Sequence, residues 1–204
     1  MLIIGLTGSI GMGKSAAAGF LRDCGIPVFD SDAEVHRLYA AEAAPLIEAA
    51  FPGTTRGGEV DRTLLSQALM GDPSGFRRLE AIVHPLVRAG QRRFLADGMS
   101  AGEPLAVLEI PLLFETGGER LVDLTVVVSA PAELQRQRVL ERPGMTAEKL
   151  EAILSRQIGD AEKRRRADFV VDTSGTLDET RAQIESIVAD LKGRRGSAYE
   201  RCWT

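Results

Sequence analysis

The chain has 204 residues, 44% of them hydrophobic and 26% charged, with a formal net charge of -4. That balance describes one core, or one core with a substantial insertion, long enough to bury a hydrophobic centre. The acidic balance argues against a general nucleic-acid binder, and no apolar run approaches the ~20 residues that a membrane span needs. Only Cys24 and Cys202 occur, far apart, so neither a disulfide framework nor a CxxC zinc site can be read. Two free thiols suit a reducing cytoplasm. The first residues enter a strand-like run without a basic n-region or a small-residue cleavage site, so a soluble cytoplasmic protein is expected.

LIIGLT, Leu2 to Thr7, is a short, nearly continuous apolar run, as a strand buried on both faces should be. KSAAAGFLRDCG then reads as a helix with Gly25 near its end, and IPVFD as a second strand. Strand, loop, helix, strand is the opening of a parallel sheet with crossover helices. Asp32 to Met99 is mostly helical in pattern, interrupted by the loops PGTTRGGE and MGDPSG. It is too long for a simple crossover and is expected to form an inserted subdomain. LAVLEI (Leu105 to Ile110), LTVVVS (Leu124 to Ser129) and DFVVD (Asp168 to Asp172) supply three more strands. Between and after them come a helix opened by Pro131, one capped by Thr146, and a last one from about Thr176 to Gly193. Its apolar residues Leu177, Ile184, Ile187, Val188 and Leu191 share one side. The terminal GRRGSAYERCWT lacks strong periodicity and is expected to be a weakly ordered tail, unless Tyr199 and Trp203 pack on the core.

Gly8, Gly13, Lys14 and Ser15 fit GxxxxGK[ST], set between a strand and a helix as a phosphate-binding loop requires. Backbone N–H groups of the loop and the helix N-terminus are expected to hold the β- and γ-phosphates of ATP. Lys14 would neutralise their charge and the Ser15 hydroxyl would bind Mg²⁺. Three classes remain: a small-molecule kinase, a switch GTPase and a motor or regulatory ATPase. No NKxD guanine motif is present, and Glu109 is the nearest equivalent of a strand-end acid. Small size and a helical insertion favour the kinase.

FDSDAEVHRL places Asp30 and Asp32 just beyond the second strand, at the sheet edge where ligands gather in parallel α/β folds. An ordinary aspartate is ionised at neutral pH and can orient an acceptor hydroxyl and take its proton. Two readings of Asp32 stand: catalytic base, or N-cap of the next helix. His84 either binds the acceptor or ends a helix before Pro85. Glu109 and Glu115 are read as indirect contributors to Mg²⁺ or as structural acceptors. Arg136, Arg138, Arg142 and Arg156, with Lys163 to Arg166, form the most basic stretch. It is a solvated helical face, a lid that brings one or two arginines to the transferring phosphoryl group, Arg138 and Arg142 being the candidates, or a nucleic-acid surface, which the acidic net charge disfavours.

Read together, these motifs resemble the dephospho-CoA kinase family. Gly5-Leu6-Thr7-Gly8-Ser9-Ile10-Gly11-Met12-Gly13-Lys14-Ser15 is similar to that family's GLTGGIGSGKS, and Asp30-Ser31-Asp32 to its Asp-x-Asp. His84-Pro85, Pro111-Leu112-Leu113-Phe114-Glu115, Gln135 with Arg138, Arg156-Gln157 and Ala167-Asp168-Phe169 follow in the family's order. Ser9 and Met12 replace small residues, Ala16 a frequent Thr, and Asp172-Thr173 stands where Asp-Asn is common. The resemblance implies transfer of the ATP γ-phosphate to the ribose 3′-hydroxyl of dephospho-CoA. It implies an α/β fold: a five-stranded parallel sheet forming a P-loop kinase core (1–31, 100–135 and 160–192), a helical CoA-binding insertion (32–99) and a helical lid (136–159). A tail (193–204) completes the chain. The site residues it implies are Asp32, Lys14, Arg138 and Arg142 for catalysis, and Gly8, Gly11, Met12, Gly13, Lys14, Ser15 and Ala16 for the nucleotide. Asp30, Asp32 and His84 would bind the acceptor, and Ser15 the Mg²⁺. No nucleic-acid or membrane partner is expected, and the chain is expected to be a monomer or weak oligomer.

Overall fold

The structure, a computed structural model, describes residues 1–70, 72 and 74–204. In chain order the elements are β1 (Leu2–Thr7), α1 (Lys14–Asp23), β2 (Val28–Asp30), α2 (Ser31–Tyr39), α3 (Ala44–Ala50), β3 (Thr55–Arg56), β4 (Glu59–Val60), α4 (Arg62–Met70) and α5 (Gly75–Ala101). Then follow β5 (Leu105–Glu109), a 3₁₀ turn at Gly118–Leu121, β6 (Leu124–Ser129), α6 (Ala132–Leu140), α7 (Ala147–Leu154), α8 (Asp160–Arg166), β7 (Phe169–Asp172), α9 (Leu177–Leu191) and α10 (Ala198–Cys202). Two compact units emerge: Met1–Phe29 with Leu95–Thr204, and Asp30–Phe94.

The larger unit is built on a five-stranded parallel sheet in the order β2-β5-β1-β6-β7. β1 and β5 are buried at every position and β6 at all but its first, which explains why their sequences are continuous apolar runs rather than alternating ones. The core joins Leu2, Ile4 and Leu6 to Ala17, Ala18 and Leu21 of α1, and to Ile184 and Leu191 of α9. Thr176 and Glu179 form a reciprocal capping box that fixes the start of α9.

The C-terminal residues are ordered, contrary to the expected loose tail. Asp123 accepts the Ile3, Ser197 and Ala198 amides at 2.9, 2.7 and 2.8 Å. Trp203 is 1% exposed, and its indole N–H donates to the Leu121 carbonyl at 2.8 Å. One indole and one carboxylate do what periodicity did not announce. Trp203→Ala is therefore expected to lower unfolding free energy by about 3–5 kcal/mol, as for other buried Trp truncations. Denaturant unfolding checks this; a loss below about 1 kcal/mol would mean the tail is dispensable.

The smaller unit packs Leu38, Ile47, Phe51, Leu65, Leu69 and Val83 into its own core. Two sequence expectations change here. PGTTRGGE, expected as a loop, contains the β3–β4 hairpin, because Gly57 and Gly58 both adopt positive φ (60° and 86°) at the turn. The helix expected to stop before Pro85 instead runs through it to Ala101. Ala81 and Pro85 are exposed, so water can take the carbonyl that proline leaves unpaired. The expected loop MGDPSG includes Gly71 and Pro73, which lie outside the described residues.

Candidate active site

β1 delivers the chain into the phosphate loop, and Gly8 permits the exit. A Cβ there would lie 2.3 Å from the Val128 side chain and 2.8 Å from the Val128 carbonyl oxygen. The loop then turns on a Met12 N–H bond to the Ser9 carbonyl (3.1 Å) and enters α1 through Gly13, whose φ is 83°. No side chain among the described residues caps α1. Among the described residues, the amides of Gly13, Lys14 and Ser15 have no acceptor. Three convergent donors at a helix N-terminus make a binding site for an anion.

Lys14 crosses the sheet edge to Glu109 at the end of β5, Nζ to Oε1 2.5 Å. Glu109 is 3% exposed, and Arg22 stands 3.9 Å from its other oxygen. The carboxylate holds the ammonium beside the loop, a placement that no local motif announced. Ser15 is exposed on the first turn of α1, and Ala16 follows it. Among the described residues no cluster of three or more metal-ligating side chains exists. Mg²⁺ is commonly bound through one or two protein oxygens plus substrate phosphates and water. Ser15 is suited to supply such an oxygen.

Beside the loop, Gly11, Gly13, Ala16, Arg138, Thr173 and Leu177 are among the residues lining a cavity of about 320 Å³, which Arg142 also borders. Arg138 lies on α6, a helix that includes residues 136–140 of the segment expected as lid. Its guanidinium donates to the Thr173 carbonyl (2.6 Å) and hydroxyl (3.2 Å). Thr173, where Asn is common in the resembled family, donates its hydroxyl to the Met12 carbonyl at 3.0 Å. The loop after β7 is thereby tied to the phosphate loop. Ser174, through its hydroxyl and amide, holds the neighbouring Asp172 carboxyl below the ordinary range. Arg142 is exposed, with no ion pair among the described residues.

The basic stretch divides. Arg136 pairs with Glu151 and Arg165 with Glu162 on the exposed surface. Lys163, by contrast, is fully buried, 3.0 Å from Glu115, and Arg166 pairs with Glu119 while stacking 4.6 Å over the Phe114 ring. The Pro111–Glu115 motif thus receives side chains from α8, and for Lys163 and Arg166 the solvated-face reading does not hold.

In the smaller unit, Asp30 is the N-cap of α2, its Oδ1 accepting the Ala33 amide at 2.9 Å. The capping role considered for Asp32 therefore belongs to Asp30. Asp32 lies in the first turn, exposed, and its carboxylate has no hydrogen-bond partner among the described residues. His84 is exposed on α5.

A parallel sheet whose first strand runs into a phosphate loop, with a lysine and a serine on the following helix and a separate helical unit, defines the P-loop kinase class. The comparisons narrow it. A family model described as dephospho-CoA kinase matches residues 2–179. The chain is 59% identical over 197 residues to the dephospho-CoA kinase of Mesorhizobium japonicum, covering 97% of this chain and 100% of that one. With the enzyme of that name from Rhodopseudomonas palustris it shares 60% over 188 residues, 92% and 94% of the two chains. A solved Thermus thermophilus structure aligns at TM-score 0.79 and 39% identity, over 94% of this chain and 98% of that one. The chain belongs to the dephospho-CoA kinase family, a family of phosphotransferases dependent on ATP and Mg²⁺.

Proposed function

We propose that this chain transfers the γ-phosphate of ATP to the ribose 3′-hydroxyl of dephospho-CoA, giving CoA and ADP, the last step of coenzyme A formation. The observation that carries this is identity of 59% with a dephospho-CoA kinase along essentially its entire length. The donor side is the loop from Gly8 to Ala16. Its amides, with Lys14, hold the β- and γ-phosphates, and negative charge developing on the transferring group is stabilised there. Mg²⁺, held by the Ser15 hydroxyl and phosphate oxygens, would neutralise charge on the triphosphate. The cavity beside Arg138 and Thr173 is suited to the nucleoside. Arg138, which also holds the loop around Thr173, and Arg142, on the same cavity, supply guanidinium groups to the transferring phosphoryl group. On the acceptor side Asp32 orients the 3′-hydroxyl and takes its proton, while Asp30 shapes the start of α2 and, with His84, binds the acceptor.

Purified protein with Mg²⁺-ATP is expected to convert dephospho-CoA to a product with the mass of CoA. ADP release should be slow with nucleosides, with shikimate or without an acceptor. Absence of CoA alongside phosphorylation of another hydroxyl compound would overturn the acceptor and leave the kinase class standing.

A further inference from the structure

Ile10 sits at the crest of the phosphate loop, and the two peptide units that meet there are each gripped by a glutamine. Its carbonyl accepts from Gln135 Nε2 at 2.7 Å, and its amide donates to Gln157 Oε1 at 3.3 Å. Gln135 is 7% exposed on α6, and the loop lies against that helix closely enough that a Cβ on Gly11 would stand 3.0 Å from the Gln135 carbonyl. Gln157 follows α7, in a turn closed by its own amide on the Leu154 carbonyl at 3.0 Å. The next amide, Ile158, donates to Glu115 Oε1 at 2.9 Å, and Glu115 carries the buried Lys163 at 3.0 Å. Gln157 is therefore held from behind by the segment that follows β5.

We infer that Gln135 and Gln157 are positioning residues that splint the phosphate loop in its anion-binding shape, with Glu115 and Lys163 anchoring the second splint. The inference rests on the reading that this loop binds ATP. Each amide side chain fixes one peptide plane: Gln157 takes the N–H of Ser9–Ile10, and Gln135 supplies a donor to the C=O of Ile10–Gly11. With both planes set, the amides of Gly13, Lys14 and Ser15 are arranged before phosphate arrives, and less ordering is left for binding to drive. The Gln157 bond is the longer one and comes from the segment that leads out of the α7 region. Movement of that segment would release the Ser9–Ile10 plane first, so the loop's shape depends on where the base of the α7 segment sits.

The test uses Gln135→Met and Gln157→Met, which keep length and lose the amide, and Gln157→Glu, which keeps an acceptor for the Ile10 N–H. ADP affinity is measured by calorimetry, Ile10 amide exchange by NMR, the KM for dephospho-CoA by steady-state kinetics, and the melting midpoint by calorimetric scanning. Each Met variant is expected to bind ADP about three- to tenfold more weakly, the range of one lost hydrogen bond. The KM for dephospho-CoA should stay within roughly twofold, since the acceptor's contacts are untouched. Ile10 should exchange faster in Gln157→Met, with β1 amides unchanged, and recover its protection in Gln157→Glu. If Gln135→Met does not fold, the half-buried Gln157 variants carry the test alone. A lowered melting midpoint with wild-type ADP affinity and wild-type Ile10 exchange would overturn the inference and leave a purely structural role. Wild-type protein that binds neither ADP nor ATP would overturn the functional reading and this inference with it; nucleotide-binding wild type matched by its Met variants overturns the inference alone.

Discussion

Lys14→Ala is expected to lose turnover by at least ~10²-fold, the scale on which a single donor to developing transition-state charge acts. The structure adds a second consequence. Lys14 is the close partner of Glu109, which is 3% exposed, and among the described residues Arg22 at 3.9 Å is its only other cation. Removing the ammonium leaves a carboxylate in a poorly solvated place, a change that costs about 3–5 kcal/mol in a fully buried pair and less here, where the Lys14 side chain is 14% exposed. Lower activity in Lys14→Ala alone would thus mix chemistry with stability. The double variant Lys14→Ala with Glu109→Gln separates them. It removes the unpaired charge, so its melting midpoint should return toward wild type while turnover stays low. Recovery of turnover together with stability would mean that Lys14 serves the fold and not the phosphates.

The phosphate loop and the sheet were legible because both are local. LIIGLT, LAVLEI and LTVVVS are apolar throughout, since each strand is covered on both faces. The GxxxxGKS spacing carries its own geometry. What could not be read depends on partners far along the chain. Lys163 stands in the run Lys163–Arg166 and looks like part of a solvated face; only the fold brings Glu115 to it, 48 positions away in the sequence. Arg138 reads as a phosphate ligand from its neighbours in sequence, and only the fold shows that its guanidinium also holds Thr173, 35 positions away. Trp203 lies in a segment with no repeat to betray it, and its burial is fixed by the Leu121 carbonyl and by Asp123. At Pro85 the local rule was sound, but exposure of Ala81 and Pro85 lets the helix continue at modest cost.

Asp32→Asn is expected to lower kcat by ~10²-fold or more, the low end for loss of a general base, with little change in dephospho-CoA binding. Asparagine keeps size and hydrogen-bonding capacity but cannot accept the hydroxyl proton. The competing explanation, that Asp32 caps α2, is now closed: Asp30 Oδ1 accepts the Ala33 amide, and Asp32 contributes only a charge in the first turn. Removing that charge from an exposed helix start costs about 0.3–1 kcal/mol, so the melting midpoint should scarcely move. Asp30→Asn is the matched control. Asn caps nearly as well as Asp, and stability should fall by a few tenths of a kcal/mol at most. If Asp30→Asn lost kcat while Asp32→Asn kept it, the base would be Asp30. Asp32 is the choice because one Asp30 oxygen is already engaged in holding the helix, whereas neither Asp32 oxygen has a hydrogen-bond partner among the described residues.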